Sequence, residues 1–369
     1  MMDATKQTKL SIAKSIGKAS GFLFMYAFTG RSFAPAPRSF VISEVKRMKT
    51  RVTELLHIRY PIVQGGLAYL AYAELAAAVS NAGGLGQITA MSLPSPEALR
   101  EQIHKVRALT DKPFGVNFAI GQHGRPYEHM LEVALEEGVK VISITGGNPE
   151  PLIRRTDGHD VKKLVLVASV RQAQKAEAIG ADAVMAVGQE GGGHLGRDDI
   201  GTFVLIPRVV DSVKIPVLAS GGIGDGRGLL AAMALGADGV EMGTRFIATQ
   251  ECVHAHPAYK DALLKGTEHD TAVIKRTLGT PARVVRTPGS DRILQLEQEG
   301  ADYERLKPYI SGERNRTFIY EGNAEEGFGW AGQVIGLIHD VPTVQELFER
   351  MFREVEERLA ALRASVERE

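Results

Sequence analysis

The chain carries its most chemically telling residues in a few glycine-rich stretches. One reads Gly188-Gln189-Glu190-Gly191-Gly192-Gly193-His194-Leu195-Gly196. Consecutive glycines ahead of a histidine are costly in backbone entropy, and that cost is expected where the backbone must come close to a planar ligand. Imidazole titrates near neutrality, so His194 is the candidate for exchanging a proton with a substrate carbon. A lone histidine is more often a packing or surface residue; the glycines around it are what single this one out. Two further stretches, Ser220-Gly221-Gly222-Ile223-Gly224 and Met242-Gly243-Thr244-Arg245, can turn several backbone N–H groups toward one anion. A helix N-terminus near Asp225 would add a favourable dipole. Together they imply a phosphate-bearing ligand, whereas tight turns alone would not require two such loops. Weaker candidates are Gln64-Gly65-Gly66, where glycine permits close approach, Asn117, whose amide suits a ring carbonyl or ring N–H, and Ser169. Each is also compatible with an ordinary polar strand end. His254 and His256 have no zinc spacing and no Cys/His/Glu cluster to complete a site, so they read as surface or loop residues.

These residues need a scaffold that brings them to one place. From Tyr60 onward short apolar runs alternate with helical patterns. Expected strands are Tyr60–Gln64, Leu85–Ile88, Phe114–Phe118, Val141–Thr145, Leu164–Ala168, Ala183–Val187, Pro216–Ser220 and Gly239–Met242. Expected helices are Tyr72–Asn81, Pro96–Leu109, Tyr127–Glu136, Val170–Ile179, Phe203–Ser212 and Gly226–Leu235, with a short one over Pro149–Thr156. The joints repeat: Ala-Ile-Gly-Ala-Asp-Ala-Val at 178–184 returns as Ala-Leu-Gly-Ala-Asp-Gly-Val at 234–240. Each sets a glycine where a helix ends and then enters an apolar strand. Strict alternation with buried strands means a parallel sheet. Eight units fit a closed α/β (β/α)₈ TIM barrel, with an open doubly wound sheet as the alternative. In such a barrel the active site lies at the C-terminal ends of the strands, where His194 and the two anion loops all fall.

The expected organisation is an N-terminal extension over 1–47, a barrel over 48–265, a helical or irregular insertion near the barrel mouth over 266–325, and C-terminal helices over 326–369. The extension is acid-poor, with only Asp3 and Glu44. It reads as a translated upstream segment ahead of Met48, a targeting peptide or a disordered tail. Recognisable barrel patterning starts near Arg59, and nothing before that point has an evident partner in the rest of the chain. The apolar stretch Phe22–Phe28 is far shorter than the roughly 20 residues needed to span a bilayer. Thr343 and Glu346 form a capping box for a final helix. Its stripe of Val344, Leu347, Phe348, Met351, Val355, Leu359 and Leu362 is expected to lie on the barrel exterior, or else to form a homodimer contact. The 44 basic and 44 acidic residues give no hint of nucleic acid, and no membrane partner is expected. The single cysteine, Cys252, excludes an internal disulfide framework and suits a reducing, cytoplasmic compartment.

Several motifs resemble the nitronate monooxygenase (2-nitropropane dioxygenase) family: Pro61-Ile62-Val63-Gln64-Gly65-Gly66, Gly115-Val116-Asn117, Gly191-Gly192-Gly193-His194-Leu195-Gly196, Ser220-Gly221-Gly222-Ile223, Gly243-Thr244-Arg245-Phe246 and Ala331-Gly332-Gln333-Val334-Ile335-Gly336-Leu337. The resemblance implies noncovalent FMN, with its phosphate at Gly221, Gly222, Gly243 and Thr244. It implies that His194 faces the flavin as base or oxyanion partner, with Gln64, Gly65, Gly66, Asn117, Ser169, Gly192, Gly193, Ser220 and Met242 also lining the cofactor. The implied reaction takes a nitronate and O₂ to a carbonyl compound and nitrite. The same motifs resemble the FMN-dependent enoyl-[acyl-carrier-protein] reductases, as does Glu251-Cys252 followed by His256-Pro257-Ala258-Tyr259-Lys260. NAD(P)H-driven enoyl reduction is therefore the alternative activity, and a non-catalytic flavin-binding module is a second one.

Overall fold

A computed structural model describes residues 47–121 and 126–366. The expected N-terminal extension therefore lies outside the described residues up to position 46. In chain order the strands are β1 (Ile62–Gln64), β2 (Gly86–Thr89), β3 (Phe114–Ala119), β4 (Val141–Thr145), β5 (Lys162–Val167), β6 (Ala183–Val187), β7 (Gly193–His194), β8 (Val217–Ser220), β9 (Gly239–Met242), β10 (Thr271–Ile274) and β11 (Ala282–Val285). All except β7, β10 and β11 belong to one parallel sheet of eight, ordered β1-β9-β8-β6-β5-β4-β3-β2. A bridge between Val63 and Leu85 joins its two ends, so the sheet closes into a (β/α)₈ barrel. The eight expected barrel strands are all present, with ends shifted by no more than two residues.

The closing seam is short and is held largely by side chains. Gln64 Nε2 donates to the Gln87 carbonyl (3.2 Å), Gln87 Nε2 donates to the Gln64 carbonyl (2.7 Å), and Gln64 Oε1 accepts from the Gln87 N–H (3.0 Å). The repeated joints have a comparable logic. Gly180 and Gly236 end their helices at φ 97° and 95°, a left-handed conformation that favours glycine. The following Asp182 and Asp238 accept from N–H groups at the start of the neighbouring strands, at Lys163 (2.8 Å) and Val217 (3.1 Å).

The lower barrel interior holds Val63, Leu85, Val141, Leu164, Ala183, Met185 and Leu218, in one cluster with Val52, Leu56 and Ile58. A helix over Arg51–Leu56, capped by Thr50, thus plugs the barrel floor. This corrects the expectation that nothing before Arg59 has a partner in the rest of the chain. Arg51 fixes the plug through a paired contact of Nε and Nη2 with Asp238 (2.7 and 2.6 Å).

The final helix, Val344–Ser365, lies against the helices Gly226–Ala234 and Ala73–Asn81. Those come after β8 and β1, so the last helix occupies the wall position that belongs after β9. It buries Val344, Leu347, Phe348, Met351, Phe352 and Val355, stacks Phe352 on Tyr60 (3.9 Å between centroids) and accepts from the Gly226 N–H through Glu354 (2.8 Å). Each such side chain contributes roughly 1.5–3 kcal/mol. Leu359 and Leu362, expected on the same stripe, are exposed.

Between β9 and that helix sits the insertion. It contains the expected helices, at Pro288–Gln298, Tyr303–Ile310 and Gly312–Glu321, but also the antiparallel hairpin β10–β11. The hairpin captures β7 on its far edge, pairing Ala282 with His194 and Arg283 with Gly193. The insertion is mixed α/β rather than helical or irregular. No helix among the described residues is long and apolar enough to cross a membrane.

Candidate active site

Alternation along the strands decides which side chains reach the barrel mouth. Val116, Phe118, Val240 and Met242 join the core shared with the outer helices, which leaves Asn117 and Glu241 on the opposite, interior face. Asn117 is buried and its Nδ2 donates to Ser143 Oγ (2.9 Å). Ser220 Oγ donates to Glu241 Oε2. The paired glycines after β1 make room for these groups: a Cβ on Gly65 would strike the Glu241 carboxyl, and one on Gly66 would overlap the Asn117 amide. The structure thus brings Gln64, Gly65, Gly66, Asn117 and Ser220 to one end of the barrel. The Met242 side chain points into the outer core, with only its carbonyl at the rim, accepting from the Gly65 N–H (2.8 Å). The Ser169 hydroxyl accepts from the Gln172 N–H (3.3 Å) and caps the helix Val170–Ala178, a structural use of that group.

The loop between β6 and the helix Thr202–Val210 carries His194 and is latched at several points. Arg283 donates through Nε and Nη2 to the Gln189 carbonyl (3.2 and 2.9 Å). The Glu190 carboxylate accepts from the N–H and the hydroxyl of Thr202, and its carbonyl accepts from the Gln333 N–H (2.9 Å). A Cβ on Gly192 would meet the Gly332 nitrogen at 2.6 Å. That glycine is explained by the crossing of two protein backbones, not by a ligand. At Gly193, with φ 75°, an added Cβ would meet open space. The glycine run therefore has two separate causes.

His194 does not stand alone. Lys275 Nζ lies 3.1 Å from its Nε2, and the Trp330 ring is 5.5 Å from the imidazole, centroid to centroid. Burial pulls the Lys275 ammonium down to about 8, against the opposing influence of Glu297. At Glu241 burial pushes the carboxyl up, and the Ser220 hydroxyl only partly offsets it. Lys275, Glu241, Trp330 and Arg283 were not singled out in the sequence. Glu241 alone had a usable signal, as a carboxylate on an otherwise apolar barrel strand. His256 Nδ1 accepts from the Ala258 N–H (3.1 Å) as a helix cap, and His254 sits 3.6 Å from Glu74, so both are structural.

A phosphate-bearing, planar cofactor fits the donors present. Gly221 and Gly222 hold φ of 89° and 77°. Among the described residues, the N–H groups of Gly222, Ile223, Gly243 and Thr244 donate to no backbone acceptor outside the helices and strands, and two neighbouring loops present them. Cys252 is buried, with its thiol pushed up to about 12, so it offers no thiolate near neutral pH.

Known proteins resemble this chain in sequence and in fold. The sequence pattern of the nitronate monooxygenase family matches residues 49–124 and 119–354. A probable nitronate monooxygenase of Staphylococcus saprophyticus is 33% identical, over 84% of this chain and 99% of that protein. The (3aS,4S,5R,7aS)-5-hydroxy-7a-methyl-1-oxo-octahydro-1H-indene-4-carboxyl-CoA dehydrogenase of Rhodococcus jostii is also 33% identical, over 86% and 98%. Among solved structures, FabK from Thermotoga maritima superposes with a TM-score of 0.81 at 42% identity, covering 86% of this chain and all of that one. A nitroalkane oxidase from Streptomyces ansochromogenes superposes with a TM-score of 0.73 at 29% identity, over 85% and 100%. On its barrel, its rim residues and these matches, the chain belongs to the nitronate monooxygenase family of oxidoreductases, to which FabK is related.

Proposed function

We propose that this protein is an FMN-dependent oxidoreductase that converts alkyl nitronates and O₂ to a carbonyl compound and nitrite. The observation that carries the reading is His194 on a latched loop that packs against Gly221, beside the two glycine turns that follow β8 and β9. Bound flavin supplies the electron acceptor. The amides of Gly221, Gly222, Gly243 and Thr244 would hold its phosphate, and Asn117 would meet its ring. His194 takes the α-proton when the substrate arrives as a neutral nitroalkane, and steadies the anion when it arrives as a nitronate. The substrate is a small molecule, and no carrier surface is required.

A second reading, NAD(P)H-driven reduction of an enoyl thioester, has its own support. Identity to FabK is 42% over the whole of that chain, against 33% for the probable nitronate monooxygenase. The relative named as a carboxyl-CoA dehydrogenase points the same way. Both chemistries place a carbon-centred anion beside His194, so the site alone serves either.

Anaerobic flavin bleaching separates them. The purified protein is expected to be yellow, to release FMN on denaturation, and to bleach with a nitronate faster than with NADPH or NADH. Bleaching by a reduced nicotinamide alone would overturn the nitronate reading in favour of the reductase. A flavin inert to every donor would leave a binding module. In the same assay, His194→Ala is expected to keep its flavin and lose about 10²–10⁴ in reduction rate with a neutral nitroalkane, and less with the pre-formed nitronate.

A further inference from the structure

Lys275 is held in place with unusual care. It lies at the end of β10 with φ 63°, a left-handed conformation that costs a side-chain-bearing residue about 1–2 kcal/mol. The Glu297 carboxylate fixes that turn by accepting from the Lys275 N–H (2.9 Å), the Thr277 N–H (3.0 Å) and the Thr277 hydroxyl (2.8 Å). The result is an ammonium 3.1 Å from His194 Nε2 and 5.5 Å from the centroid of the Trp330 ring. Strain of this kind persists where the surroundings over-determine it, and it gathers at functional sites.

We propose that Lys275 is a positioning residue that sets the protonation state of His194, its ammonium donating to Nε2 and holding the imidazole neutral. Two cations at this separation repel, so proton uptake by the ring is disfavoured while the lysine is charged. The insertion thereby delivers the partner that keeps a base in its working form. This rests on the reading of His194 as the proton-handling group but not on the choice of substrate. Of the neighbouring charged groups, Glu297 on the helix Pro288–Gln298 acts on Lys275. Arg283, on the strand that pairs with β7, is itself under the influence of Arg276 beside Lys275 and of Glu190 and Asp199 on the loop that carries His194, and Arg197 of that loop donates to the Gly279 carbonyl (3.0 Å).

The test is an NMR titration of labelled histidine rings in the flavin-loaded protein, with His194 assigned through His194→Gln. In Lys275→Met the protonation midpoint of His194 is expected to rise by about one pH unit, while Lys275→Arg keeps the parent value. The acid limb of kcat/KM for a neutral nitroalkane should move with it. In the parent, the ring resonance should show a second inflection near pH 8, where Lys275 itself titrates, so the proposal is testable even if the Met variant does not fold. A midpoint unchanged by Lys275→Met, or a parent titration with no second inflection, would overturn it. A purely structural lysine would lower the melting temperature and leave the midpoint where it was. Because no substrate enters the titration, failure of the nitronate reading does not decide its outcome.

Discussion

Glu241 sits inside the barrel mouth between the Ser220 hydroxyl and the backbone of Gly65, and burial raises its pKa above the ordinary 4.5. That direction fixes the sign of the pH dependence. As pH climbs through the ordinary carboxylate range, the unfolded chain releases this proton and the folded one keeps it. The contribution is therefore present below about pH 4.5 and is lost as pH rises toward the raised folded value. Within that window the slope is about 1.4 kcal/mol per pH unit. Glu241→Gln removes the titration, so its stability relative to the parent should improve steadily from roughly pH 4.5 upward. Urea unfolding of both proteins across that range checks it, and a difference that stays flat would mean that Glu241 ionises normally. Legibility at this scale was uneven. The glycines around it single out His194 as a candidate, whereas Lys275, 81 residues away, acquires meaning only from a tertiary contact that no local pattern encodes.

At the scale of elements, the barrel strands were readable because most are short, largely buried runs with a glycine turn at one end or the other. The hairpin β10–β11 was not readable. Its strands are four residues each, Thr271–Ile274 and Ala282–Val285, set among charged and proline-rich sequence. The two-residue β7 carries no periodicity at all, and it exists only because β11 offers an edge to pair with. The dual origin of the glycine run gives a prediction that sequence could not. Gly192→Ala drives a Cβ into the backbone of Ala331 and Gly332, which belongs to a different element and cannot easily retreat. Gly193→Ala meets no atom and bears only the left-handed conformational cost of about 1–2 kcal/mol. Thermal unfolding should show Gly192→Ala as the more damaging of the two, with flavin loss accompanying it. Equal melting temperatures would mean that the loop and the 331–332 segment separate freely.

For the molecule as a whole, the floor plug sets a boundary for truncation. A chain beginning at Met48 retains the helix Arg51–Leu56 and is expected to fold and bind flavin like the full sequence. One beginning at Arg59 loses Val52 and Leu56, exposed by only 0% and 2%, together with the Arg51 contact to Asp238. At roughly 1.5–3 kcal/mol per buried side chain, that is a large share of an ordinary domain's stability. Soluble yield and flavin content of the two truncations check this. If the shorter chain behaves like the longer, the plug is dispensable; if the longer one fails, residues before Met48 are needed. The wall of the barrel carries a different consequence. Its eighth helix, Val344–Ser365, is separated from the strand before it by the whole insertion. During synthesis from the N-terminus, the helices Ala73–Asn81 and Gly226–Ala234 must wait, each with one apolar flank open, until residues 344–365 emerge. The nascent barrel is therefore at its most adhesive just before that helix is made. Any event that stops the ribosome inside the insertion leaves a protein with an assembled sheet and a breach in its outer wall.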